Sequence, residues 1–132
     1  MTRIVLAIIA GYAAWTVLWL AGGLSLMAVF TIDPTAERID NTIYLGLALG
    51  LSVACSLVGG FTCGAIARCK TSAGWILGTL LLLTGVVVQG SAWSSMPLWY
   101  HLPFLVLLEP MAMVGFWFAC RKLRRDANEH QR

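Results

Sequence analysis

Residues 43–67 read IYLGLALGLSVACSLVGGFTCGAIA, a run of 25 residues without an acidic or basic side chain. A helix of that length reaches about 38 Å, because each residue adds about 1.5 Å. The hydrocarbon core of a bilayer is about 30 Å thick and takes about 20 apolar residues to cross. This stretch is therefore predicted to be a membrane-spanning helix, and it decides the class of fold.

Three more apolar runs flank this one, at residues 4–30, 73–89 and 102–120. The chain of 132 residues is 59% hydrophobic and 11% charged, whereas soluble proteins average about 25% charged residues. The connections are too short to hold a second folded unit. The sequence predicts an all-α, antiparallel four-helix transmembrane bundle, built as a single domain over residues 1–132 with a basic tail at 121–132.

The basic residues predict how the bundle is oriented. If the four runs cross in alternation, eight of the nine Lys and Arg residues fall on one side. These eight are Arg3, Arg68, Lys70, Arg121, Lys122, Arg124, Arg125 and Arg132. By the positive-inside rule both termini are cytoplasmic, as in a multi-pass protein of a bacterial inner membrane. Topology thus accounts for the net charge of +3, and the expected partner is the lipid bilayer and not nucleic acid.

The first run, with its positive start, also resembles a signal peptide. It spans 27 residues, well beyond the roughly 7 to 15 of a secretory apolar region. We expect it to be retained; cleavage within residues 22–28 would leave three spans. Its length exceeds the hydrocarbon core, so we expect it to tilt or to bend at Gly22-Gly23.

Polar residues at the ends of the runs predict helix caps. Asp33 before Pro34 indicates a short turn of helix through Arg38. Either Asp40 or Asn41 is expected to cap the second span. The hydroxyls of Thr71 and Ser72 are expected to cap the third, after a tight turn that places spans two and three antiparallel. These caps would satisfy amides that a helix leaves free at its start.

Small residues recur every fourth position along the second and third spans. They are Ala48, Ser52, Ser56, Gly60 and Gly64, with a second pair Gly46 and Gly50, and Gly74 and Gly78 in the third span. Such rows let helix backbones approach closely in lipid. We expect a packing face whose partner is the third span, or alternatively a second copy of the chain. The hydroxyls of Ser52 and Ser56 could instead line a polar path, although each can bond back to a carbonyl of its own helix.

Glu109 is the one acidic residue within an apolar run. An ionised carboxylate at that depth is costly, so it should be neutral, face the bundle interior or reach water. Trp19, Ser52 and Thr84 lie at comparable depth and are candidate hydrogen-bond donors to it. Pro110 follows and leaves a carbonyl one turn back without a donor. Glu109 is either a neutral acid that ties two helices together or a group that handles a proton or a solute.

The cysteines and histidines do not predict a cofactor or metal site. Cys55 and Cys63 lie within the second run, while Cys69 and Cys120 lie at the predicted cytoplasmic rim, where thiols are kept reduced. We expect four free thiols, with acylation or pairing across a dimer as alternatives for the two rim cysteines. His101 lies on the opposite side, so ligands for a metal or a haem do not converge.

Residues 90–101 are apolar and aromatic, which is typical of a segment at the membrane interface. Trp99, Tyr100 and His101 are candidate functional residues there, as part of a belt or of a lid. Pro103 suits the first turn of the last helix. His101 is expected to bond a loop carbonyl or, if exposed, to act as a pH switch.

The run Met96-Pro97-Leu98-Trp99-Tyr100-His101-Leu102, with Pro110 and Gly115 after it, resembles a set of small bacterial four-span membrane proteins. These share a Pro-Leu-Trp-Tyr-His-Leu signature before the last helix and have no assigned activity. The resemblance covers the last third of the chain. It implies that Pro97, Trp99, Tyr100, His101 and Pro110 fix the entry of the last helix at the outer interface, and it implies no catalytic residue.

No pattern in the sequence reaches a catalytic motif, so we do not expect an enzyme. The sequence favours a non-catalytic membrane protein that acts by helix packing or by interaction with lipid, a second copy or another membrane protein. The alternative is a small proton-coupled carrier or channel-like protein that uses Glu109.

Overall fold

The computed structural model describes residues 1–33, 35 and 38–129. Over these residues the chain forms four helices and no strand. The helices are α1 (Thr2–Phe30), α2 (Thr42–Ala67), α3 (Thr71–Ser91) and α4 (Leu98–Glu129). Each helix is long and apolar enough to cross a membrane. The predicted all-helical class and the four apolar helices are therefore confirmed.

The last helix is longer than predicted at both ends. It begins at Leu98 instead of residue 102, and it continues nine residues beyond residue 120, to Glu129. Pro103 is thus the sixth residue of α4 and not part of its first turn, and the helix runs unbroken through Pro103 and Pro110. At about 1.5 Å per residue, the 32 residues of α4 span about 48 Å. Residues 121–129 therefore extend α4 beyond the apolar run.

Consecutive helices run antiparallel, which gives the bundle two different ends. At one end the Arg3 Nε donates to the Ile66 carbonyl at 2.9 Å, joining the start of α1 to the end of α2. At the other end the rings of Phe30 and Tyr44 meet edge to face, 6.0 Å apart. We call these the basic end, with Arg3, the turn 68–70 and residues 121–129, and the aromatic end, with residues 30–33, 35, 38–41 and 92–97.

The two connections of the aromatic end are joined by a backbone hydrogen bond from Ile39 N to Ser95 O at 2.8 Å. Asp33 Oδ1 accepts from both the amide and the hydroxyl of Thr35. The predicted short helix after Asp33 falls on Pro34, Ala36 and Glu37, which lie outside the described residues, as do residues 130–132 of the tail. An exposed ion pair links Arg38 and Asp40 at 2.9 Å, and such pairs add little stability.

Helix α2 lies at the centre of the bundle and packs most extensively against α4 and then α1. A Cβ at Gly60 would collide with the Ala112 carbonyl oxygen, and one at Gly115 with that of Leu57. At Gly64 it would lie 2.8 Å from the Phe116 oxygen. The small residues therefore allow α2 and α4, which run parallel, to touch backbone to backbone.

The expectation that the small face of α2 packs against α3 is wrong. Its contact with α3 is the least extensive of its three interfaces. The short turn at residues 68–70 holds only the helix ends together, and the close approach is made by α4. Gly74 and Gly78 of α3 also face α4, against Phe116 and Glu109. Gly46 and Gly50 are exposed and have no neighbour within 4 Å of an added Cβ.

Several polar side chains inside the bundle are hydrogen-bonded between helices. Trp15 Nε1 donates to Ser56 Oγ at 3.3 Å, and Ser56 donates to the Ser52 carbonyl at 2.8 Å. Tyr12 and Thr84 share a hydroxyl contact of 3.0 Å. These bonds tie α1 to α2 and α3, and they satisfy groups that would otherwise be costly in lipid.

Of the predicted caps, one is confirmed and one is wrong. Asn41 Oδ1 accepts from the amides of Ile43 and Tyr44, both at 3.1 Å, and so caps α2. Helix α3 begins directly at Thr71, and Lys70 is its N-cap without a side-chain cap bond. Because Thr71 is already in the helix, its hydroxyl is not placed to reach the free amides.

Candidate functional site

The aromatic end contains a buried polar cluster centred on His101, whose side chain is 0% exposed. Its Nδ1 lies 2.6 Å from Gln89 Oε1, and its Nε2 lies 3.2 Å from the Met96 carbonyl oxygen. The Trp93 ring stacks on the imidazole, with centroids 4.8 Å apart and planes at 13°. The cluster thus joins the end of α3, the connection 92–97 and the start of α4.

The position of His101 differs from the sequence expectation in one respect. The predicted bond to a loop carbonyl is confirmed by Met96. The exposed imidazole required for a simple pH switch is contradicted, because Gln89 and Trp93 cover the ring. A neutral imidazole has one N–H, so it satisfies both contacts only if the Gln89 amide turns its NH2 group toward Nδ1.

Trp99 and Tyr100 belong to the first turn of α4 and not to a loop. Successive helical residues point about 100° apart, so the two neighbouring rings, 6.4 Å apart between centroids, face different surroundings. Trp99 is 47% exposed, whereas Tyr100 is buried. The Tyr100 ring contacts the Phe104 ring, with centroids 5.8 Å apart. The predicted trio is therefore divided: His101 and Tyr100 lie inside, and Trp99 lies on the surface.

A cavity of about 230 Å³ adjoins this cluster. Its lining is almost entirely apolar and comes from all four helices and the second connection: Trp19, Leu20, Gly23, Leu24, Leu26, Met27, Tyr44, Ala48, Leu51, Val88, Met96 and Tyr100. Leu20 and Leu24 are 57% and 68% exposed. The cavity therefore reaches the apolar surface of the bundle beside α1.

Glu109 lies apart from this cluster, near the middle of the bundle. It is eleven residues after the start of α4, or about 16 Å along the helix. It is partly buried, and its Cγ lies 3.1 Å from the place of a Cβ at Gly78. Among the described residues, no hydrogen bond or ion pair involves its carboxyl group.

The donors predicted for Glu109 all have other contacts. Thr84 bonds Tyr12 and the Leu80 carbonyl. The Trp19 ring lies between those of Trp15 and Phe104, with centroids at 6.1 and 5.3 Å. Ser52 is buried in α2, where its carbonyl accepts from Ser56. The predicted depths did not bring these groups together, because α4 begins at Leu98, four residues earlier than expected, and Glu109 packs against Gly78 of α3.

The basic end contains a feature that the sequence analysis missed. Cys69 and Cys120 form a disulfide, with Cα atoms 5.3 Å apart. The expectation that all four cysteines are free is therefore wrong for this pair and confirmed for Cys55 and Cys63, which are buried thiols. The shared rim position of Cys69 and Cys120 was the available signal, but their predicted cytoplasmic location argued against a bond.

Gln89 was also missed as a functional residue. It is the one amide near the end of the third apolar run, and its side chain is 3% exposed. Its position opposite His101, twelve residues later, could have suggested a hydrogen bond once the two runs were taken as antiparallel neighbours.

No family model, curated protein or solved structure matches this chain.

Proposed function

We propose that the protein is a multi-pass protein of a bacterial inner membrane, with the basic end in the cytoplasm. Seven of the described basic residues lie at that end, and the aromatic end has only Arg38. The positive-inside rule favours this orientation. Many large apolar side chains on the outer faces of the helices are exposed, including Val17, Leu83 and Val106, and lipid is the solvent in which such a surface is stable.

Within that membrane the protein acts without catalysis, by binding a lipid in the cavity of the aromatic end. The cavity itself is the observation that supports this function. Trp19 and Gly23 are eleven and seven residues from the end of α1 at Phe30, or about 10 to 16 Å below it. At that depth the surrounding solvent is acyl chain. The exposed Leu20 and Leu24 beside the cavity would face those chains, so one acyl chain of an outer-leaflet lipid is the proposed occupant.

The glycine at position 23 allows a direct test. A Cβ added there meets nothing within 4 Å, and Gly23 lines the cavity, so a Gly23→Leu side chain would extend into the cavity and occupy part of it. Gly46→Leu is the matched control, because Gly46 also has nothing within 4 Å and does not line the cavity. Native mass spectrometry of the delipidated protein would measure the bound phospholipid per chain.

We expect the wild type and Gly46→Leu to retain one lipid per chain and Gly23→Leu to lose it. Lipid occupancy that is the same in all three proteins, whether one or none, would contradict the proposed site. Thermal unfolding of each variant in detergent establishes that the bundle is intact. Both substitutions leave residues 96–102 unchanged, so a difference in bound lipid would reflect the space in the cavity and not the sequence signature there.

A second candidate function is proton-coupled transport through Glu109. The supporting observation is that this carboxyl group is partly buried at mid-helix without a hydrogen bond to another described residue. Acidic residues inside a membrane are functional candidates because they are costly there. In liposomes, Glu109→Gln should abolish solute-coupled proton flux while the protein stays folded. Absence of flux in the wild type, or equal flux in the variant, would rule this candidate out.

A further inference from the structure

The disulfide at the basic end is accessible from outside the bundle. Cys69 and Cys120 are each partly buried, and both line a cavity of about 590 Å³. The other lining residues are Arg68, Leu123, Arg124 and Ala127. A thiolate can attack a disulfide only where it can reach a sulfur atom, and this cavity supplies that access.

The charges around the cavity are of one sign. Arg68 and Arg124 line it, and none of its described lining residues is acidic. A second cavity of about 530 Å³ at the same end is of mixed charge, since Asp126 and Glu129 line it together with basic residues that include Arg125. Cations attract an incoming anion and stabilise a leaving thiolate. The cavity beside the disulfide is therefore the one suited to an anionic thiol.

We propose that Cys69 and Cys120 form a thiol–disulfide exchange site for small anionic thiols. The thiolate of the first molecule attacks one sulfur, which gives a mixed disulfide and releases the other cysteine as a thiolate. A second molecule attacks the mixed disulfide, so the small disulfide leaves and the second cysteine is freed. Two thiols are oxidised, the protein disulfide is reduced, and the two protons end on Cys69 and Cys120.

Reduction frees the turn at residues 68–70 from α4 but leaves the bundle packed. The contacts of Gly64 with Phe116 and Ala119 hold α2 against α4 without the sulfur atoms. The small disulfide of the same thiol closes the bond again by the reverse steps. This site is at the opposite end of the molecule from the lipid cavity, and it does not depend on lipid binding. Under the proposed orientation it faces the cytoplasm, where thiols are abundant and reduce accessible disulfides.

The test uses the purified full-length chain in a nonionic detergent and three two-carbon thiols. These are mercaptoethanesulfonate, mercaptoethanol and cysteamine, which are anionic, neutral and cationic. Each reduction rate is divided by the rate of the same thiol with hydroxyethyl disulfide, which removes differences in intrinsic reactivity. After acid quench and denaturation, maleimide labelling counts two free cysteines in the oxidised chain and four in the reduced chain.

At low salt, the normalised rate for the sulfonate should exceed that for the amine by at least about tenfold, as electrostatic steering allows. High salt should remove most of this ratio, because the charges are exposed and screened. At low salt, Arg124→Gln and Arg68→Gln should each lower the ratio of the sulfonate rate to the amine rate. Arg125→Gln is the matched control, since it removes the same charge from the other cavity, and it should leave the ratio near that of the wild type.

Three results would overturn the proposal. One is a disulfide that none of the three thiols reduces in the folded protein. Another is equal normalised rates at low salt. The last is a loss of the ratio in Arg125→Gln as large as in Arg124→Gln, which would assign the effect to net charge and not to this cavity. The salt series on the wild type decides the matter even where a variant does not fold.

Discussion

At the scale of single residues, glycine sets the distance between the helices. The places that Cβ atoms would occupy at Gly60 and Gly115 are filled by backbone atoms of Ala112 and Leu57. Backbone cannot move aside as a flexible side chain can, so any larger residue would separate α2 from α4. In lipid, where apolar side chains gain little by leaving the solvent, such close contact is a main source of helix association.

Gly60→Ala should therefore destabilise the bundle. Overpacking costs typically about 1 to 3 kcal/mol, and we expect a loss of that order in the free energy of unfolding. The measurement is an SDS titration in mixed micelles in which circular dichroism monitors unfolding. Gly46→Ala is the control: its added methyl group meets nothing within 4 Å, and Ala favours a helix over Gly by about 1 kcal/mol. A Gly60→Ala protein as stable as Gly46→Ala would contradict the packing described.

Gln89 is the second residue whose replacement should be costly. Gln89→Leu keeps a similar size but leaves the buried His101 Nδ1 without a partner. An unsatisfied buried polar group costs about 1 to 3 kcal/mol, and the same unfolding titration should record that loss. Ser91→Ala is the control, because Ser91 is exposed and bonds only the nearby Val88 carbonyl. Equal stability of the two variants would mean that the His101 cluster contributes nothing to the fold.

The sequence predicted some of this chemistry and missed the rest for a physical reason. His101 was correctly expected to bond a loop carbonyl, because that partner, Met96, is only five residues away. Its burial was not predictable, since it depends on Gln89 and Trp93 from other elements. The same holds for Glu109. Its depth in the membrane could be estimated from the helical rise, but its contact with Gly78 could not be predicted, because it depends on how α3 and α4 are rotated about their axes.

At the scale of helices, α2 and α3 begin in different ways. Asn41 accepts two amide hydrogen bonds at the start of α2, whereas α3 starts after Lys70 without a side-chain cap. Asn41→Ala should therefore lower the free energy of unfolding by about 0.5 to 2 kcal/mol, the usual value of an N-cap. Thr71→Ala, at the corresponding end of α3, should change it little.

Unfolding titrations of the two variants side by side check this prediction. A larger loss for Thr71→Ala than for Asn41→Ala would contradict the assigned caps. The comparison also tests a prediction that was wrong. Thr71 has the residue type of a cap, but the turn at Arg68 and Cys69, with φ of 47° and 63°, places Thr71 within the helix.

The sequence predicted that all four helices exist. It predicted less well which helices pack against each other and where each helix begins and ends. Long apolar runs such as 43–67 have one stable solution in lipid, because a helix satisfies its own backbone. Spacing identified the small face of α2, but spacing carries no information on which helix covers it. The extent of α4 was also underestimated, because its polar residues 121–129 continue the helix where the apolar pattern ends.

At the scale of the whole molecule, the bundle has two chemically distinct ends. The basic end holds seven described cationic residues and the Cys69–Cys120 bond. The aromatic end holds the His101 cluster and the apolar cavity proposed to bind an acyl chain. This asymmetry was predictable from the charge pattern, because alternation of four spans sorts the basic residues. The disulfide was not, since two cysteines 51 residues apart meet only through the packing of α2 against α4.

We propose that the chain crosses an inner membrane with its basic end in the cytoplasm. Cysteine labelling tests it most directly. In a chain whose four native cysteines are replaced by serine or alanine, Ser94→Cys and Ala127→Cys each place one thiol at an exposed position, at the aromatic and the basic end respectively. A membrane-impermeant maleimide is then applied to intact spheroplasts and to permeabilised ones. We predict that Ser94→Cys is labelled in both and Ala127→Cys only after permeabilisation; labelling of Ala127→Cys in intact spheroplasts would contradict the account.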